Sequence, residues 1–271
     1  MNDEQTGYQN IILQHDGPIA RLTLDRPDAR NAMSSEMGRE IRDAVGRING
    51  EESTRVVVVR GAGRAFSGGG DLQSLEEEAA AATEGRARGP GLGGGRTFYS
   101  LFLSVRDLRV PSIAAINGHA IGAGLCFALG CDLRVIHEQA KVGMTFVKVG
   151  IHPGMAATWN LPRLIGPARA AELLYTGRLL DAGEAVAWGI ASRAAGADFD
   201  QVVDDLAGQI AGCAPVAVRL VKQTLRGTFD RDVDAALALE ADQQAATFRT
   251  HDALEGIRAI REKRPPEFSG A

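Results

Sequence analysis

The 271-residue chain is short of the features that announce disulfide stapling, metal binding or nucleic-acid contact. Its three cysteines, Cys126, Cys131 and Cys213, are an odd number without a C-x-x-C pair. That excludes a disulfide framework and a thiolate metal site, and it suits a reducing compartment. No block of like charge stands out, because 30 basic residues meet 34 acidic ones for a net charge of −4. With nothing to track a phosphate backbone, nucleic acid is not an expected partner. No run approaches the ~18 apolar residues of a spanning helix, and the opening MNDEQTGYQN has neither the basic start nor the apolar stretch of a secretory signal. The expectation is a cytoplasmic protein without a membrane partner.

What the chain does have is alternation. IILQHDGPIARLTLDRP reads as two strands around an Asp16-Gly17 turn, with Ala20, Leu22 and Leu24 on one face and Ile19, Arg21 and Thr23 on the other. Ser34 is placed to cap a helix whose Met37, Ile41, Val45 and Ile48 recur on one side, and VVVV at 56–59 follows as a buried-type strand. Strand, glycine loop and helix then repeat through SIAAI, NGHAIGAG and LCFALG, followed by strand-like LRVIH and a short pairing at KVGM. The pattern predicts an α/β layered core. Residues 75–100 begin helix-friendly and end rich in glycine, which predicts a helix stub and a mobile loop. Asp181 and Glu184 are spaced as a capping box, with Gly189 as the stop. From about Asp200 the chain turns to amphipathic helices, which divides it into a core over 1–199 and a helical region over 200–271. The last helix is expected to open on a capping box at Asp252 and Glu255 and to end before Pro265-Pro266.

Two glycine clusters carry the chemistry, GAGRAFSGGGDL at 61–72 and INGHAIGAGLCFALGCD at 116–132. Small residues between a buried strand and a helix let a ligand approach the backbone, whose unpaired N–H groups suit negative charge. A dinucleotide site needs G-x-G-x-x-G/A, but the pattern ends on Phe66 in one cluster and Phe127 in the other, and no G-K-S/T follows either. Two loops of matching design instead fit a pair of N–H groups aimed at one oxygen, as acyl chemistry requires for an oxyanion. AFSGG at 65–69 also approaches the G-x-S-x-G nucleophile elbow, so a Ser67 hydrolase with His119, His137, His152 or His251 as base is another reading.

FSGGGDL resembles the F-x-A-G-x-D-L pattern of the crotonase (enoyl-CoA hydratase/isomerase) superfamily, and INGHAIGAG resembles its second glycine loop. The likeness continues through LDRPDARNAM, CDLRV, GIHPGMAATWNLPRLIG, LLYTGRLLDAGEAVAWGI and EGIRAIREKRPPEF, in order and spacing. It implies a spiral of ββα turns with a C-terminal helical trimerisation region, assembled as a homotrimer or a dimer of trimers. It also implies a coenzyme A thioester as substrate, with no permanently bound cofactor and no metal. By that resemblance Gly70 and Ala123 donate the two oxyanion N–H groups. Ala29, Arg30, Ala32, Gly68 and Leu72 border the coenzyme A beside Asp71, which is read first as a helix cap. Lys263 or Arg264, beside Phe268, matches a tail segment that reaches a neighbouring subunit's ligand, and the N–H of Gly154 holds water or substrate.

Hydration of an enoyl thioester needs a base for water and an acid for the α-carbon. The resemblance places the family's two glutamates at Cys126 and Phe146, so two-glutamate hydration is not expected here. His152 in IHPGM and His119 in the second loop are the candidate replacements, and Glu76, Glu77 and Glu78 follow the first loop. The implied function is an enoyl-CoA hydratase/isomerase-like enzyme, with an acyl-CoA-binding protein lacking catalysis as the alternative.

Overall fold

The computed structural model describes residues 7–85 and 94–271. Strands β1 (Ile11–Asp16) and β2 (Ile19–Leu24) pair antiparallel across the Asp16-Gly17 turn, and Ala20, Leu22 and Leu24 face the core. Helix α1 (Ser35–Gly50) starts where the Ser34 hydroxyl accepts the Met37 N–H, and it buries Met37, Ile41, Val45 and Ile48. These elements follow from local signals, an Asp-Gly turn and an N-cap before an apolar stripe.

Beyond α1 the chain winds between two sheets. Strands β3 (Val56–Gly61), β5 (Ser112–Ile116), β7 (Leu133–His137) and β10 (Arg193–Ala195) extend the hairpin into a sheet ordered β1-β2-β3-β5-β7-β10, parallel from β2 onward. Each of β3, β5 and β7 is followed by a strand of the second sheet: β4 (Ala65–Ser67), β6 (His119–Ile121) and β8 (Val142–Gly143). That sheet is ordered β4-β6-β8-β9, with β9 (Leu179–Leu180) antiparallel to β8. Helices close each turn: α2 (Leu72–Thr83) and α3 (Gly94–Leu103), then α4 (Ala123–Ala128), then α5 (Ala157–Ile165) and α6 (Pro167–Thr176). Because the two strands of each turn pair in parallel with those of the turn before, the ββα units stack as a spiral.

The VVVV run is unbroken because both faces of β3 are covered. Val57 and Val59 join the main core with the α1 stripe. Val56 and Val58 meet α8 (Phe199–Ala211) through Phe199, Val203 and Leu206. A strand buried on both sides needs no polar alternation. Helix α8 therefore layers onto the large sheet. The later helices α9 (Pro215–Leu225), α10 (Val233–Thr247) and α11 (His251–Glu262) leave Leu225, Val233, Leu237, Ile257 and Ile260 exposed. Between β9 and β10, α7 (Ala182–Trp188) carries the expected capping box: the Asp181 carboxylate accepts from the Glu184 N–H at 2.8 Å, Glu184 accepts from the Asp181 N–H at 3.1 Å, and Gly189 closes the helix at φ 86°.

Two expectations are corrected. Residues 94–103 form α3 rather than a glycine loop, because Leu101 and Phe102 are buried and Phe98 packs on the same core; residues 86–93 of that expected loop lie outside the described residues. Helix α11 is capped by Thr250, whose hydroxyl accepts the Ala253 N–H at 3.3 Å, and not by Asp252. Thr250 holds the extended cap conformation, which leaves Asp252 inside the first turn with its carboxylate free to accept the N–H groups of Ser269 and Gly270. Glu255 accepts from Arg264 instead of capping, so the tail folds back on the helix. No helix among the described residues is long and apolar enough to cross a membrane.

Candidate active site

Strands β4 and β6 are parallel neighbours, so the chain leaves the small sheet at the same end after each. The two exits touch at backbone distance. A Cβ on Gly124 would stand 2.6 Å from the Ser67 carbonyl oxygen, and one on Gly69 would stand 2.7 Å from the Ile121 carbonyl oxygen and 3.6 Å from the Ala123 nitrogen. Gly69 (φ 100°) and Gly122 (φ 54°) also hold conformations that side chains disfavour. Several surrounding amides are consumed: Gly68 N–H donates to Arg30 O and Met33 N–H to Gly69 O, both at 2.8 Å, Gly69 N–H to Ser67 Oγ at 3.2 Å, and Gly122 N–H to Gly143 O at 2.8 Å. The N–H groups of Gly70 and Ala123 have no acceptor among the described residues.

A rigid frame holds this junction. Asn31, fully buried at φ 53°, donates through Nδ2 to the carbonyls of Ala62, Ala65 and Phe66 and accepts the Arg26 N–H through Oδ1. Asparagine is among the few residues that tolerate the left-handed region. Beneath the loops Phe66 stacks on Phe127 at 6.2 Å, Phe102 meets Phe127 edge-on at 6.2 Å, and Phe98 tilts on Phe102 at 5.0 Å, tying α3 to both loops.

On α4, directly after the second loop, Cys126 is fully buried, with Sγ 3.6 Å from Gly154 O and 3.7 Å from Met144 Sδ. Burial pushes its thiol up to about 12, so it stays protonated and inert. Phe146, in the 3-10 turn Thr145–Val149, brings its ring beside Gly122, where an added Cβ would lie 3.8 Å from Cζ. Over Gly154 sits a residue that sequence reasoning missed: a Cβ there would lie 2.5 Å from Tyr99 Oη. Tyr99 is half-buried on α3, and no described residue hydrogen-bonds its hydroxyl. Burial is the main cause that raises its pKa, with Glu78 and Cys126 adding to it. The spacing of Phe98, Leu101, Phe102 and Val105 was the signal that a helix, and not a loop, presents it.

The sequence pattern of the enoyl-CoA hydratase/isomerase family matches residues 14–271. The chain belongs to the enoyl-CoA hydratase/isomerase family. A protein named crotonyl-CoA hydratase from Syntrophomonas wolfei is 35% identical over 263 residues, covering 96% of this chain and 98% of that protein. One named carnitinyl-CoA dehydratase from Proteus mirabilis is 34% identical over 268 residues, covering 97% and 99%. Among solved structures, an enoyl-CoA hydratase from Bacillus anthracis matches with a TM-score of 0.89 at 33% identity, over 97% of this chain and 100% of that one.

Within this family member the remaining expected residues fall into three groups. Arg30 lies against the loops, its Cβ 3.5 Å from where a Cβ on Gly68 would be, and its exposed guanidinium has no ion-pair partner among the described residues. Ala29 and Leu72 are exposed and Ala32 is half-buried on the same side of the first loop, and Asp71 caps α2 by accepting the Ser74 N–H at 3.2 Å while pairing with Arg26 at 3.6 Å. Lys263 and Phe268 do not join this chain's loops. The Phe268 carbonyl accepts from Arg55, just before the N-terminal end of β3, whereas the first glycine loop follows that strand's other end.

The third group loses its proposed chemistry. Ser67 is fully buried, donating to Asn31 O at 2.8 Å and accepting the Gly69 N–H, and no histidine bonds to it among the described residues. Its hydroxyl pins the loop, and the hydrolase reading is withdrawn. His119 Nδ1 accepts the Lys141 N–H at 3.1 Å, and His152 Nδ1 bonds the neighbouring Pro153 carbonyl at 2.8 Å. Both rings are exposed and serve their own loops. Glu76, Glu77 and Glu78 are exposed on α2, where Glu77 accepts from Gln73 at 3.0 Å and Glu78 is near enough to Tyr99 to raise its pKa.

Proposed function

We propose that this family member binds an acyl-CoA thioester and holds its carbonyl oxygen with the N–H groups of Gly70 and Ala123, stabilising the enolate-like oxyanion that arises in chemistry at the α- and β-carbons. The supporting observation is the junction itself: two loops far apart in sequence touch at backbone distance, and the Gly70 and Ala123 N–H groups, one from each loop, are among the amides there without an acceptor among the described residues. An oxyanion donor of this kind accounts for roughly 3 kcal/mol of transition-state stabilisation. Arg30, with Ala29, Ala32, Gly68 and Leu72, lines the approach of the coenzyme A. The exposed apolar side chains of α9 to α11 fit a homotrimer or a dimer of trimers, in which Lys263 and Phe268 serve a neighbouring subunit's ligand.

With Cys126 sealed and protonated and Phe146 apolar, hydration proceeds without a glutamate pair, so crotonyl-CoA turnover is expected far below that of a two-glutamate hydratase. The test is incubation of the purified protein with enoyl-, dienoyl- and β-keto-acyl-CoA in deuterated water. Label at the α-carbon supports an enolate-stabilising enzyme. Tight acyl-CoA binding without label supports a binder that kept the scaffold, and no binding refutes the reading.

A further inference from the structure

The enzyme reading leaves the α-carbon without a proton donor. Resting on that reading, we propose that the hydroxyl of Tyr99 delivers the proton to the α-carbon of the thioester held at Gly70 and Ala123. Cys126 lies one helical turn along α4 from Ala123, and its Sγ contacts the Gly154 carbonyl at 3.6 Å. The Tyr99 phenol lies directly over the Cα side of that same Gly154, leaving no space for a Cβ. Phe146 closes the neighbouring edge at Gly122. The groups around the junction include a committed thiol, a phenyl ring, the Thr145 hydroxyl 3.7 Å from where a Cβ on Gly122 would be, and a phenol, beside Glu78, whose O–H meets no acceptor among the described residues. Of these the phenol is the one that stands over Gly154. Helix α3 holds that phenol in place through Phe98, Leu101 and Phe102. Half-buried near Glu78 and Cys126, the side chain keeps its proton through the neutral range, which suits a donor and not a resting base.

The step balances with water alone. Water oxygen bonds to the β-carbon while the alkene pair moves through the enolate to the α-carbon. The Tyr99 O–H bond breaks and its proton forms the new α C–H bond. The phenolate then takes the proton released by the added water, so the side chain ends neutral.

The experiment compares wild type, Tyr99→Phe and Gly154→Ala. Crotonyl-CoA hydration and α-deuterium incorporation are followed across pH, and binding of the unreactive butyryl-CoA is measured in parallel. Tyr99→Phe is expected to lower kcat by about 100-fold or more, the usual scale for losing a general acid, while KM and butyryl-CoA affinity change little. The wild-type rate is expected to hold up to alkaline pH and fall as the phenol ionises, and the residual Tyr99→Phe rate is expected to lack that fall. Gly154→Ala keeps the phenol but displaces it, so kcat drops and the alkaline fall remains; it carries the test should the phenylalanine variant fail to fold. Wild-type kcat in Tyr99→Phe overturns the assignment of Tyr99 alone. Wild type that binds butyryl-CoA yet neither hydrates nor incorporates deuterium overturns it too, leaving a thioester binder. Wild type that binds no acyl-CoA overturns the thioester reading from which the assignment is built.

Discussion

Gly124→Ala tests the contact between the two loops. The added Cβ would stand 2.6 Å from the Ser67 carbonyl oxygen, 2.7 Å from Ser67 Cβ and 2.9 Å from Ser67 Oγ. Carbon atoms settle at about 3.5 Å or more, so the loops must part by roughly 0.8 Å. Ser67 has no room to yield, since it is fully buried in β4 with its hydroxyl bonded to Asn31 and Gly69. Overpacking of this sort costs ~1–3 kcal/mol. The same displacement moves Ala123 away from Gly70, and a misplacement near 1 Å or the loss of one oxyanion donor each lowers kcat by about 100-fold. Urea unfolding and turnover of an enoyl thioester read the two effects separately. Gly46→Ala is the control: it lies on α1 with nothing within 4 Å of an added Cβ, so it should gain ~0.5–1 kcal/mol of stability and keep its rate. A Gly124→Ala protein with the wild-type midpoint and rate would mean that the loops do not touch as described.

Three further outcomes are expected. Arg30→Ala should weaken acyl-CoA binding by ~1 kcal/mol and flatten its dependence on salt, measured by titration at low and high ionic strength; unchanged affinity removes Arg30 from the coenzyme A wall. Cys126 and Cys131 are both pushed up to about 12 by burial, so the unfolded thiols ionise near the ordinary 9.0 while the folded ones hold their protons. Stability should therefore be intact below pH 9.0 and fall as pH rises toward 12, by up to ~1.4 kcal/mol per pH unit per thiol, and Cys126→Ala should show a shallower fall. Glu255 is held down to about 2, first by Arg264 and then by the Glu267 N–H. Its contribution is present above the ordinary 4.5 and lost as pH falls toward 2, so Glu255→Gln should flatten the acid limb of the unfolding curve; coincident limbs would show that the clamp does not matter.

Much of the fold was legible because it rests on local signals. The Asp16-Gly17 hairpin, the Ser34 cap, the doubly buried VVVV strand and the Asp181–Glu184 box are each set by residues a few positions apart. Where two caps competed, spacing alone misled: Asp252 and Glu255 have the right separation, but Thr250 precedes them and the tail claims both carboxylates. The glycines of residues 94–95 hid α3, whose stability comes from tertiary burial of Leu101 and Phe102 and not from propensity. The contact between the two glycine loops was legible because close backbone approach needs glycine wherever it occurs in the chain. The chemistry beside them was less legible. Whether Ser67 is a nucleophile or a pin, whether Cys126 is reactive or sealed, and that Tyr99 stands over Gly154 all depend on contacts made across the spiral, which no spacing in the sequence encodes.

The most direct measurement is a crystal structure with butyryl-CoA bound. The thioester carbonyl oxygen is predicted to lie about 2.7–3.1 Å from the backbone nitrogens of both Gly70 and Ala123. A carbonyl bound elsewhere, or either N–H already donating to a protein acceptor, would contradict the account.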